Sequence, residues 1–116
     1  QCTELCLISP STVMAQRSLF NEIGFFDENF PVCEDYDLWL RVTSDQEVGF
    51  IEQALTIKHG GHDDQLSLKH HSMDLWRVRA LAKHIGHPLL APQETQALQR
   101  SLKSKAEILL AGFKKY

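Results

Sequence analysis

The stretch PVCEDYDLWLR, residues 31–41, decides how the front of this chain folds. It opens on a proline, sets Glu34 and Asp35 side by side, and then interleaves Tyr36, Leu38, Trp39 and Leu40 with Asp37 and Arg41. Acids at a helix start meet unpaired N–H groups and the positive end of the helix dipole, so the pattern predicts a helix from Glu34 to about Asp45. Adjacent helical positions diverge by about 100°, so Glu34 and Asp35 cannot do the same job. Either both are capping acids, or one holds the local structure while the other faces a cleft. Asp37 and Arg41 stand at i,i+4 spacing, which a solvated salt bridge explains. Tyr36, Leu38, Trp39, Leu40 and Val42 read as core.

Outward from this helix, ELCLIS (residues 4–9) and TVMA (12–15) read as short buried strands separated by Ser9-Pro10-Ser11, which disfavours helix. RSLFNEIG (17–24) reads as two helical turns, with Leu19, Phe20 and Ile23 on one face and Gly24 as the residue that ends it. FFDENFP (25–31) is a compact loop, anchored by Phe25, Phe26 and Phe30, in which Asp27 and Asn29 satisfy local donors. VGFIEQALTIK (48–58) suggests one or two kinked strands, and HGGHDDQLS (59–67) is a loop whose Gly-Gly pair permits close backbone approach. Residues 70–85 then align Met73, Trp76, Ala80 and Leu81, and residues 93–114 align Leu98, Leu102, Ala106, Leu109 and Phe113. Joined by HPLLAP, these two read as an antiparallel helical hairpin. The expected fold class is α+β: strands and helices over residues 1–67, and a helical hairpin extension over 68–116.

The chain has 116 residues, 43% apolar and 23% charged, enough for one modest core. A net charge of -3 with dispersed Lys and Arg argues against nucleic-acid binding. No apolar run approaches the roughly 20 residues of a membrane span. Cys2, Cys6 and Cys33 form neither a zinc motif nor a disulfide framework, which favours a reducing compartment and a cytoplasmic location. The start at Gln1, without Met, leads us to expect a piece of a longer protein.

His59, His62, Asp63 and Asp64 are metal-compatible ligand types, but an H-x-x-H in a loop lacks the helical geometry of metalloprotease sites. The loop serves as a phosphate- or metal-contacting lid, or is simply polar surface. His70, His71, His84 and His87 read as surface or capping residues. Lys103, Lys105, Lys114 and Lys115 lie on an amphipathic helix, which permits weak attraction to an anionic membrane surface; a solvated face explains them better.

Taken in order, ISPSTVMAQRSLFNEIGFFDENFPVCEDYDLWLRV (residues 8–42) resembles the acceptor-side, C-terminal part of bacterial family 2 glycosyltransferases of the GT-A fold. The resemblance runs over about residues 7–80. It rests on G-x-F-D-E-x-F, then E-D-x-D-L-W-x-R, then HGGHDDQLS followed by a helix with Met73-Asp74. It implies that Asp35 is the base that takes the acceptor hydroxyl proton, with Glu34 contacting the acceptor or fixing the loop. It further implies that His62, or else His59, contacts a divalent metal, Mg²⁺ or Mn²⁺, on the donor diphosphate, and that Asp64 and Gln65 line the same opening. The implied partners are a nucleotide-sugar, a saccharide or lipid-linked acceptor, and an N-terminal half of the same polypeptide that binds the nucleotide. The implied site of action is the inner face of the membrane, in polysaccharide assembly.

This sequence has no phosphate cradle or Asp-x-Asp before residue 34, so the expectation is a glycosyltransferase part that is inactive alone. Two other readings compete. One is a noncatalytic interaction module, able to pair with a copy of itself through uncovered apolar surface. The other is a small metal-binding domain built on His59, His62 and Asp63.

Overall fold

The computed structural model describes residues 2–59, 70 and 72–114. Its elements are a 3₁₀ turn at Pro10–Thr12 and four helices: α1 (Arg17–Ile23), α2 (Glu34–Asp45), α3 (Met73–Lys83) and α4 (Pro92–Phe113). Among the described residues there is no strand, which overturns the α+β expectation. Residues 4–9, 12–15 and 48–58 carry strand-like side chains but meet no partner among the described residues to complete a ladder. Strand propensity reports fit to a pleated, half-buried surface and cannot supply that surface.

Helix α2 is the centre of the molecule. Tyr36 and Leu40, four residues apart, face Phe30, Val32, Ala80, Leu81 and Leu98. On its other side Leu38, Trp39 and Val42 pack against Ile8, Leu19, Phe20 and Ile23. The five apolar residues of α2 spread over more than half of its circumference, so it must be covered from more than one direction. Cys6 touches both clusters and joins them.

Helices α3 and α4 pack on each other, as the hairpin reading expects, and α3 also packs on α2. The connection turns at Gly86, whose φ is +81°, and α4 starts with Pro92 in its first turn while Glu94 accepts the Ala91 N–H at 2.8 Å. At about 1.5 Å per residue, 11-residue α3 is half as long as 22-residue α4 and covers only part of it. The apolar stripe on α4 is therefore buried at Leu98 and bare at Phe113. None of the helices among the described residues is long and apolar enough to cross a membrane.

The loop after α1 depends on Gly24, whose φ of +85° is a conformation that side chains rarely adopt. A Cβ there would meet Arg41 only at 3.6 Å, so the space is tolerable and the backbone is what resists. Gly24→Ala should therefore cost about 1–3 kcal/mol, read as a drop of several degrees in thermal melting.

Candidate functional site

The site begins at Cys33, which precedes α2 in the left-handed conformation (φ 62°, ψ 20°) although it is not glycine. That backbone state costs roughly 1–2 kcal/mol and lets the Cys33 carbonyl accept the Asp37 N–H at 3.1 Å. Three acids then fall in the first turn, Glu34, Asp35 and Asp37, and their surroundings separate them.

Asp37 is fully buried. Its carboxylate pairs with Arg41 Nε at 3.0 Å and Lys83 Nζ at 2.7 Å, and Lys83 also pairs with Asp27 at 2.8 Å. The expectation of a solvated Asp37–Arg41 pair is thus corrected: the spacing was right and the environment is interior. One buried carboxylate costs several kcal/mol to desolvate, and a single ion pair near 3 Å returns about that much, so two cations are required for a margin. Arg41 spends its other donors on the carbonyls of Ile23 (2.6 Å) and Phe25 (2.7 Å). The whole network clamps the 24–30 loop against α2 and the last turn of α3.

That network gives the G-x-F-D-E-x-F segment its physical sense. Asp27 Oδ2 accepts from Lys83 at 2.8 Å and Oδ1 accepts the Asn29 N–H at 3.0 Å, and these bonds, the first above all, hold the Asp27 carboxyl down at about 2. Of the three aromatic anchors expected, only Phe30 is buried, tilted against Trp76 at 5.7 Å. Phe25 stacks on Phe20 but stays exposed, as does Phe26. Burial lowers the Lys83 pKa, yet its pairs with Asp27 and Asp37 outweigh that and the net shift is upward.

His84 caps the C-terminus of α3, as one of its two readings has it, but it is 3% exposed and not a surface residue. Its Nδ1 lies 3.0 Å from the Ala80 carbonyl; a carbonyl only accepts, so Nδ1 carries the proton. Burial pushes the His84 pKa down from 6.5, against the opposing pull of Ala80 and Asp37 and with minor help from His87 and Lys83. The unfolded chain therefore binds a proton more readily than the folded one. The stabilisation is complete above pH 6.5 and fades as the pH falls below it toward the lowered folded value. Stability should drop on mild acidification with a slope of at most about 1.4 kcal/mol per pH unit from this group, and His84→Gln should flatten that slope in urea titrations.

Asp35 is only partly buried. Its Oδ1 accepts the Tyr36 N–H at 2.7 Å and its Oδ2 accepts the Cys6 thiol proton at 3.3 Å. A carboxylate offers about four lone-pair sites, so acceptor capacity remains for a ligand. Glu34, on the same turn, is also partly buried. The alternative that both acids cap the helix fits one oxygen of Asp35 and leaves its second turned to Cys6.

His59 is exposed at the end of the 48–59 segment, while His62, Asp63, Asp64 and Gln65 lie outside the described residues. Among the described residues no group of three His, Cys, Asp or Glu side chains is arranged to hold a metal ion. Two clefts, of about 210 and 270 Å³, open toward the C-terminal half of α2 and the α3–α4 connection, and neither is lined by Glu34 or Asp35. The three cysteines are free. Sequence reasoning missed the Lys83–Asp27 and Cys6–Asp35 contacts, which join positions too far apart in the chain for any spacing rule to connect.

With this geometry in view, the chain is similar to three bacterial proteins, each named an uncharacterized glycosyltransferase. The protein from Rickettsia felis is 33% identical over 63 residues, covering 54% of this chain and 10% of its own length. Its counterpart from Rickettsia conorii is 32% identical over the same number of residues, with the same coverage of each chain. The one from Rickettsia typhi is 39% identical over 59 residues, 51% of this chain and 18% of its own. The similarity is confined to about half of this chain. The match spans between 10% and 18% of the length of these relatives. No protein-family model matches the chain, and no solved structure does.

Proposed function

We propose that this chain is the acceptor-side part of a family 2 glycosyltransferase in which Asp35 is the general base. The observation that carries the reading is the division of labour in the first turn of α2. Asp37 is sealed inside with two cations, while Asp35 sits half-exposed at the positive end of the same helix with acceptor capacity to spare. The strained backbone of Cys33 at that turn adds to it, since such strain persists where the surroundings demand a particular side-chain placement.

In this reading the acceptor hydroxyl oxygen attacks the anomeric carbon of a nucleotide-sugar and its proton passes to an Asp35 oxygen. The bond from that carbon to the diphosphate breaks, and the nucleoside diphosphate departs with the electron pair. Glu34 contacts the acceptor or fixes the loop. A divalent ion, Mg²⁺ or Mn²⁺, supplies charge neutralisation at the diphosphate when bound. His62 and His59 are assigned to it, and Asp64 and Gln65 to the opening, by resemblance alone. The acceptor is a saccharide or a lipid-linked one, and the enzyme works at the cytoplasmic face of a membrane.

The chain by itself should be inactive, with the nucleotide bound by an N-terminal half of a longer polypeptide. Val48, Phe50, Ile51, Leu55 and Ile57 are all exposed along one segment, and that half would cover them. The same exposure favours a second reading, an interaction module that pairs with another protein or with its own copy. Assaying nucleotide-sugar turnover by the longer polypeptide, with Asp35→Asn beside it, separates the two: full turnover by the variant removes the base assignment.

A further inference from the structure

The Cys6 thiol belongs neither to a disulfide nor to any metal cluster among the described residues, yet it reaches across 29 residues of sequence to the Asp35 carboxylate. A thiol has one proton to give. Two acceptors compete for it, Asp35 Oδ2 at 3.3 Å and the Ile8 carbonyl at 3.6 Å. The nearer acceptor is also the charged one, and charge-assisted bonds are roughly twice as strong as neutral ones, so the proton goes to Asp35. Cys6 is itself held firmly, because it packs against both apolar clusters on either side of α2.

We propose that Cys6 is a positioning residue for Asp35: its S–H on Oδ2 and the Tyr36 N–H on Oδ1 hold the plane of the carboxylate so that its remaining lone pairs meet the acceptor hydroxyl. This rests on the reading of Asp35 as the base. Without the thiol, the carboxylate keeps one tether and rotates about its bond to Cβ, and its reach toward an attacking hydroxyl is lost for part of the time. The thiol suits this task because it stays protonated. Burial and the neighbouring Asp35 charge push the Cys6 pKa up to about 12, which keeps it a donor and makes it a poor nucleophile.

Two measurements test the assignment. In the first, this chain and its Asp35→Asn variant are treated with iodoacetamide at mildly alkaline pH and the Cys6 peptide is followed by mass spectrometry. Losing the facing charge should accelerate Cys6 alkylation roughly tenfold, the equivalent of one unit of thiol pKa. Equal rates overturn the contact. In the second, Cys6→Ala and Cys6→Ser are compared in the longer polypeptide. The Ala variant should lose roughly tenfold in kcat at unchanged KM for the nucleotide-sugar, and the Ser variant, which restores a donor at the same place, should recover most of it. Equal kcat in the two variants overturns the positioning role while leaving the base assignment standing. Full turnover by Asp35→Asn overturns the base assignment and the positioning role together, and the alkylation rates still decide the contact.

Discussion

Asp37→Ala should lower the melting temperature of this chain by more than about 10 °C. The wild-type carboxylate is fully buried and neutralises Arg41 and Lys83 at once. Its removal leaves Arg41 without a carboxylate and Lys83 with Asp27 alone, and breaking a buried pair by deleting one partner costs about 3–5 kcal/mol. The lower end applies here, because Lys83 is 39% exposed and can turn toward water. For a domain of this size about 3 kcal/mol corresponds to somewhat more than 10 °C. Lys83→Met should cost less, since Arg41 still pairs with Asp37, although the contact of the ammonium with the Phe30 ring is lost. Circular-dichroism melts of the two variants check the ordering; a loss of only a degree or two for Asp37→Ala would show that the pair is solvated after all.

Asp35→Asn should have the opposite profile, a large loss of turnover with little loss of stability. Proton transfer by a placed base contributes about 10²–10⁴ in rate, so kcat of the longer polypeptide should fall by that factor, about 3–5 kcal/mol of transition-state stabilisation. KM for the donor should hardly move, because the base acts on the other substrate. The fold should tolerate the change, since the Asn oxygen can still accept the Tyr36 N–H and the side chain is only half-buried. Glu34→Gln should lose much less activity. An Asp35→Asn protein that melts several degrees lower and turns over normally would return Asp35 to the role of a capping acid.

These two neighbours show where local reasoning stops. Helix positions were legible because each leaves a periodic trace: Leu19, Phe20 and Ile23 in α1, Tyr36, Leu38, Trp39, Leu40 and Val42 in α2, Ala80 and Leu81 in α3, and Leu98 and Leu102 in α4. Gly24 and the proline opening α4 mark their element ends through backbone stereochemistry that any sequence exposes. The strands failed because VGFIEQALTIK has strand-like composition and no second strand among the described residues to pair with. The burial of His84 and Asp37 leaves no trace in local spacing, because histidine and aspartate usually lie at the surface and what buries these two is the packing of α3 on α2.

By itself, then, the sequence determined the four helices among the described residues, their apolar faces and the order of motifs that sets the acidic pair at a helix start. Those properties depend on residues within a turn or two of one another, where spacing and stereochemistry suffice. The tertiary structure alone decided which acid is sealed in and which stays open. That choice rests on Lys83, Asp27 and Cys6, brought to α2 from distant parts of the chain, and the energy of a carboxylate is set by the charges and donors that surround it in space.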